Sequence, residues 1–334
     1  MTNKSNLIQE YRQVIDEVTD LLQQNKTEWS NRYQGYQKLI DNLNAQIADM
    51  RKKFRALDPV FVYLSISKVK TANASRVSFD LRYEGQSVAE LIVNKTVSLK
   101  VKPKQAEQNV RDFGFPGGLN GIFDWYSKEA MVFRKFFSGK PQRTQNATQE
   151  NTEHRFESVI LTDLLKRISS EKTLVNIRPV LLCGARFQMP TPLSASNAKS
   201  GIVTYAGKSG GGIDILARAG KSGRKTNLCV IEVKDENTVQ ESPQKAMKQA
   251  IAYAAFIWQL LRDKENGPGW WKLFGFSGSL PTKLSIITVV AMPKGDKDQI
   301  YPGEIIKIGA NDELVLQYIY IDGSTGQPIS TTFP

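Results

Sequence analysis

The residues best suited to do chemistry lie in one stretch, GGGIDILARAGKSGRKTNLCVIEVKDE, residues 210–236. In a strand, successive side chains point to opposite faces. Across Leu228–Lys234 this puts Cys229, Ile231 and Val233 on one face and Val230, Glu232 and Lys234 on the other. A carboxylate and an ammonium then project side by side from an apolar strand. Burying charge there is unfavourable unless it is paired or bound to a metal. Asp214, between Ile213 and Ile215, is a second acid in an apolar run. Residues 219–227 are rich in glycine and lysine and can fold the two runs into a hairpin. Antiparallel pairing could then bring Asp214 beside Glu232 and Lys234.

Two carboxylates beside a lysine are what metal-assisted phosphodiester hydrolysis needs. Mg²⁺ is a hard cation that takes one or two carboxylates, waters and phosphate oxygens. The metal polarises the phosphate and lowers the pKa of bound water. The lysine can orient or deprotonate the nucleophile and offset charge at phosphorus. The bland alternative is a structural acid–lysine network between two strands, since D…ExK is a short pattern that also arises by chance.

These residues need elements to hold them. Glu153 to Ser169 has an amphipathic helical pattern, with Phe156, Val159, Ile160, Leu164 and Leu165 on one face. Val175 to Met189, Gly212 to Arg218 and Leu228 to Lys234 read as strands. Ser242 to Leu261 reads as a long helix, Leu284 to Met292 as an apolar strand, and strands near 305–308 and 314–321 extend the sheet. Upstream, Leu7, Tyr11, Val14, Val18 and Leu21 form one helical stripe, and Tyr36, Leu43, Ile47, Met50, Phe54 and Leu57 a second. Ser30 and Gly35 are expected to mark the break between them. The pair is either a helical hairpin packed on its own chain or a dimerising coiled coil. Asp58-Pro59 stops the second helix. Three or four antiparallel strands are expected over 59–102, a loop at Phe113–Gly118, and a helix from Asp124 to Phe137. That helix ends in Arg134-Lys135-Phe136-Phe137, which suits either phosphate contact with stacking or an ordinary amphipathic face. Residues 138–152 are polar and aperiodic and read as a linker. The expected domains are therefore a helical hairpin at 1–58, a basic α+β region at 59–143 and a third domain at 144–334.

Asp214 followed by Glu232-Val233-Lys234, on consecutive strands after an acidic helix and before a long one, resembles the PD-(D/E)XK nuclease superfamily of restriction endonucleases, junction resolvases and RecB-type nucleases. The resemblance covers roughly residues 150–295. It implies an α/β fold with a restriction-endonuclease-like core: helix, three strands, helix and strand, in a mixed sheet flanked by helices. It implies a Mg²⁺-dependent endonuclease acting on DNA, with Mn²⁺ able to substitute. Asp214 and Glu232 would ligate the metal with the backbone carbonyl of Val233, and Lys234 would handle the attacking water. Many members add an acid from the first helix. Glu157, in Arg155-Phe156-Glu157, is the candidate here and Glu153 the alternative. The glycines before Asp214 resemble the Gly-Gly-Ile-Asp entry of Mrr-like enzymes. Gln249 and Tyr253 match the Gln-x-x-x-Tyr motif of RecB-like members, and their spacing shares one helix face. On their own, such a pair is more often an ordinary helix surface. Ile213 stands where the superfamily's nominal proline would be. The implied setting is bacterial restriction or anti-phage defence, with a defence-system partner or a homodimer through the N-terminal helices as candidate associations.

Other chemistries are excluded by composition. The single histidine, His154, argues against a Ser-His-Asp triad, and two separated cysteines, Cys183 and Cys229, against a zinc site. Both cysteines sit in apolar runs, as buried thiols of a reducing, cytoplasmic protein do. AGKSG occurs at 206–210 and 219–223 but lacks the earlier P-loop glycine and leads into no helix; Lys208 and Lys221 remain candidate phosphate contacts. No apolar run is long enough to span a membrane, and the polar N-terminus does not read as a signal peptide. The net charge is +12, and residues 59–143 alone hold 14 basic and 7 acidic side chains. That balance suits a polyanionic partner, although many basic proteins bind none. A non-catalytic nucleic-acid-binding module and a partner-recruiting subunit are the competing readings.

Overall fold

The elements around residues 210–236 form a mixed α/β layer. The computed structural model describes residues 4–46, 60–66, 77–101, 119–138, 152–166, 168–195, 203–220, 226–295 and 301–333. The helices are α1 (Lys4–Gln24), α2 (Lys26–Gln46), α3 (Lys128–Ser138), α4 (Thr152–Leu165), α5 (Pro243–Arg262) and α6 (Gly267–Leu273). The strands are β1 (Val60–Leu64), β2 (Val77–Tyr83), β3 (Gln86–Val93), β4 (Val97–Val101), β5 (Gly121–Asp124), β6 (Ile177–Pro179), β7 (Arg186–Phe187), β8 (Met189–Pro190), β9 (Leu193–Ser194), β10 (Thr204–Tyr205), β11 (Gly212–Ile213), β12 (Ile215–Ala219), β13 (Asn227–Val233), β14 (Ser285–Pro293), β15 (Ile305–Ile308), β16 (Asp312–Ile321) and β17 (Pro328–Thr331). No helix among the described residues is long and apolar enough to cross a membrane.

The chain divides into two units. The first comprises residues 1–37, 159–180 and 188–334; the second comprises 38–158 and 181–187. In the first, the sheet order is β15-β16-β14-β13-β12-β6, with β17 also against β16. Strands β13, β14 and β16 run parallel, while β12 lies antiparallel to β13 and β6 antiparallel to β12. Parallel neighbours need a crossover connection, and α5 supplies it between β13 and β14. Ser242 caps α5 by accepting the Lys245 N–H, and Pro243 takes the first helical position, where its missing N–H goes unfelt. Almost every apolar residue of α5 is buried, as expected of a helix covered on both sides. One side meets β13 and β14, and α1 lies along the helix. Trp29 and Tyr33 of α2 meet Phe256 of α5 with ring centroids 6.3 and 5.0 Å apart. Such pairs stabilise by about 0.5–1.5 kcal/mol beyond the area they bury.

The second unit holds a sheet in the order β5-β4-β3-β2-β1-β7. Strands β1 to β5 form an antiparallel meander, with Glu84 and Gly85 in left-handed conformations at the β2–β3 turn. The expected antiparallel strands are present, and β5 adds one just before the stretch read as helix, sharing only Asp124 with it. That helix starts at Lys128, four residues after Asp124. The expected loop at 113–118 and linker core at 139–151 lie outside the described residues.

Several boundaries differ from the sequence reading. The helical break falls at Asn25, not at Ser30 or Gly35. The Asn25 side-chain amide donates to the Leu21 carbonyl at 2.8 Å and closes α1, and α2 restarts at once. Gly35 is an exposed helical residue with open space around its absent side chain. The run 175–189 is not one strand. Cys183 and Gly184 both adopt left-handed backbone, so the chain turns there, and β6, β7 and β8 join three different sheets. The strand expected at 212–218 is also divided, with a bend at Asp214 between β11 and β12. β17 carries no signal that separated it from the preceding turn.

The end of α4 is held by a buried acid. Asp163 accepts the Leu174 N–H at 3.0 Å, the Thr173 N–H at 3.1 Å and the Lys166 ammonium at 2.9 Å. Burial alone would raise its pKa, but these bonds outweigh burial and hold it below the usual carboxylate range. A depressed folded-state pKa contributes stability that is present above the unfolded value, about 3.9, and is lost as pH falls through the folded value. Asp163→Asn should therefore destabilise at neutral pH by about 1–3 kcal/mol, since the amide nitrogen cannot accept a backbone N–H. Urea unfolding from pH 7 to pH 2.5 should show the gap to wild type closing only below about pH 4.

Candidate active site

Strand β13 is buried from Leu228 to Val233, and its carboxyl end carries the chemistry. The register pairs Ile215 with Ile231 and Leu216 with Val230, which brings Asp214 opposite Glu232 where β12 begins. Asp214 does not continue the ladder through its backbone. Its carboxylate instead accepts the Val233 N–H at 2.9 Å, which ties the bend to the end of β13. Glu232 is 2% exposed, and its Oε1 lies 2.9 Å from the Lys234 ammonium. The side chains of Glu232 and Lys234 leave the same face, two residues apart. Carboxylate oxygens of Asp214 and Glu232 lie within 4.8 Å of each other, close enough that they could together hold a metal ion. The donors are hard oxygens, the set that Mg²⁺ accepts. Carboxyl ends of parallel strands are where open α/β sheets bind their ligands.

The glycines before Asp214 have a steric reason. The Gly211 N–H donates to the Leu193 carbonyl, and the Thr191 N–H donates to the Gly211 carbonyl, both at 2.8 Å. A Cβ on Gly210 would strike the Thr191 carbonyl oxygen, and one on Gly211 would stand 2.6 Å from the Tyr253 hydroxyl. Gly212 has only ordinary contacts. Gly210→Ala should cost about 1–3 kcal/mol, because the obstacle is backbone. Gly211→Ala should be milder in stability but should displace Tyr253. Thermal melts of both variants, with tyrosine fluorescence, check the difference. Thr191 was not singled out from the sequence, because its partner lies twenty residues away across β8 and β11.

Tyr253 and Gln249 stand over this end of the sheet. The Gln249 amide donates to the Tyr253 hydroxyl at 3.5 Å. Burial pushes the phenol well above its usual pKa, and the Glu232 and Asp214 carboxylates push it further, so it stays a neutral donor at any working pH. Asp214, Glu232, Lys234, Gln249 and Tyr253 thus come together in the first unit. Glu157, the candidate acid of α4, is engaged inside the second unit. It is 2% exposed, and its Oε2 lies 3.6 Å from His154 Nδ1. The nearby Glu157 carboxylate raises the imidazole pKa against the opposing effect of burial. Glu157 also acts electrostatically on Tyr63 and Arg82 of the same unit. Glu153 is only partly buried, on the first turn of α4. Lys208 is exposed in the short turn Gly207–Ser209, and Lys221 lies outside the described residues. Both cysteines are buried free thiols.

No protein-family model, curated protein or solved structure matches this chain.

Proposed function

We propose that this protein is a metal-dependent phosphodiesterase, an endonuclease acting on DNA, with its centre at Asp214, Glu232 and Lys234. The observation that carries the reading is the meeting of two carboxylates and a lysine at the carboxyl end of a buried parallel strand. The order α4, β6, β12, β13, α5, β14, with β7 to β11 inserted between β6 and β12 and α6 before β14, supports it further, since helix, three strands, helix and strand is the order expected of a PD-(D/E)XK core. Asp214, Glu232 and the Val233 carbonyl would hold Mg²⁺ or Mn²⁺. Bound there, the ion polarises a phosphate oxygen and lowers the pKa of a coordinated water. Lys234 would orient the attacking water and balance charge that develops on the phosphate. Gln249 and Tyr253 would position these groups as neutral hydrogen-bonding partners. A cytoplasmic role in restriction or phage defence belongs to the same proposal and rests on resemblance alone.

The test is cleavage of supercoiled plasmid and of linear single- and double-stranded DNA, with Mg²⁺, Mn²⁺ or EDTA. Nicking or linearisation that needs the metal is the expected result. Salt-sensitive DNA binding with no cleavage in either metal would replace the enzyme with a binding module of the same fold.

A further inference from the structure

Arg178 of β6 and Arg218 of β12 are direct cross-strand partners in the antiparallel register. Directly opposed residues share one face with their Cβ atoms about 5 Å apart, and like charges in that position destabilise a sheet. Neither guanidinium has a carboxylate partner among the described residues. Arg218 Nη1 donates to the Gly275 carbonyl, but its Nε–H is buried with no acceptor. Gly275 takes a left-handed conformation, and a Cβ there would stand 2.9 Å from Arg218 Nη1, so the turn is shaped around the guanidinium. Burial and the charge of Arg178 both lower the Arg218 pKa, the signature of a cation lacking a counter-ion. Arg178 is exposed at the sheet edge, so the pair is open to solvent.

From this geometry we infer that Arg178 and Arg218 form a binding site for a phosphate group. Guanidinium forks match phosphate oxygens in shape and charge, and a dianion between the two relieves their repulsion. Arg218 lies four residues along β12 from Asp214, about 13 Å at strand spacing. The phosphate could be free or part of a nucleic-acid backbone, and the site stands whether or not the chain hydrolyses DNA.

The test uses the full chain in EDTA, which silences metal chemistry. Wild type, Arg178→Gln and Arg178→Glu are melted with inorganic phosphate, and with sodium chloride of equal ionic strength. Phosphate should raise the wild-type Tm above the chloride control and leave both variants unmoved. Arg178→Glu should also melt above wild type in chloride, because it pairs with Arg218. Binding of a labelled DNA duplex is then measured against salt. If Arg178→Gln weakens it and the log–log salt slope falls by about 0.9, the phosphate is one of the DNA backbone. If DNA binding is unchanged while inorganic phosphate still discriminates, the ligand is a free phosphate. Equal phosphate responses and equal DNA binding in wild type and Arg178→Gln overturn the proposal. Circular dichroism on each sample separates loss of binding from loss of fold, and Arg178→Lys, which keeps the charge but not the fork, should recover binding only in part.

Discussion

Asp214→Asn should lower metal-dependent cleavage by about 10³-fold, the equivalent of about 4 kcal/mol of transition-state stabilisation at 1.36 kcal/mol per tenfold. Asparagine is the informative substitution because its carbonyl oxygen can still accept the Val233 N–H, so the bend between β11 and β12 survives. What is lost is the charge that a cation would share with Glu232. Asp214→Ala should lose both charge and brace, and should fall in stability as well as in rate. Lys234→Met keeps the stem and removes the ammonium 2.9 Å from Glu232. Its rate should fall by about 100- to 1,000-fold at saturating metal, as when a transition-state donor is removed. Excess Mg²⁺ should rescue neither variant if the two groups act as proposed. Plasmid nicking at several metal concentrations, with circular dichroism as a fold control, decides it. Wild-type rates in both variants would remove the centre from the mechanism.

Asp312→Ala should cause the largest loss of stability in the first unit, far from that centre. Its carboxylate accepts the Trp258 indole N–H at 2.7 Å, two guanidinium N–H groups of Arg262 at 2.6 Å, and the Leu284 N–H at 2.7 Å. The carboxyl is 5% exposed, and these bonds lower its pKa against the effect of burial. One residue thus joins α5 to β16 and to the start of β14. Removing it strands a buried amide, an indole and part of a guanidinium. The expected loss is about 3 kcal/mol, at the lower end for a broken buried ion pair because Arg262 is partly exposed. For a unit of this size that is a fall in Tm of about 6–12 °C. Calorimetry on wild type, Asp312→Ala and Arg262→Met checks it, and a double-mutant cycle should show strong coupling between the two sites. Cleavage at low temperature should be preserved.

The geometry around residues 210–236 was readable because each of its signals is local. Alternation along Leu228–Lys234 assigned faces, the glycine-rich loop predicted a hairpin, and Ser242-Pro243 marked the start of α5. Asp214 proved to be at a bend and not within a strand, but its nearness to Glu232 depended only on the hairpin register. The misread boundaries lacked such signals. At Asn25 a side-chain bond ends one helix while the apolar stripe continues into the next. At Cys183 a non-glycine residue turns left-handed inside an apolar run, and only the following glycine hinted at it. Glu153 and Glu157 lie about one turn apart on α4, and no sequence signal separates them. The division into units was least legible, because the first unit gathers three segments that are separated in sequence.

That discontinuity sets an order of events during synthesis. The apolar stripe of α1 is buried along α5, more than two hundred residues later in the chain. Until the ribosome has made residues 243–262, Leu7, Tyr11, Val14 and Val18 lack the α5 surface against which α1 packs in the folded unit. Residues 38–187 hold every strand of the second sheet and can assemble before that point. Closing so long a loop is slow, and the waiting helix is open to aggregation or to chaperone capture. Nascent chains stalled near residue 240 should therefore have a protease-resistant middle and a protease-sensitive beginning.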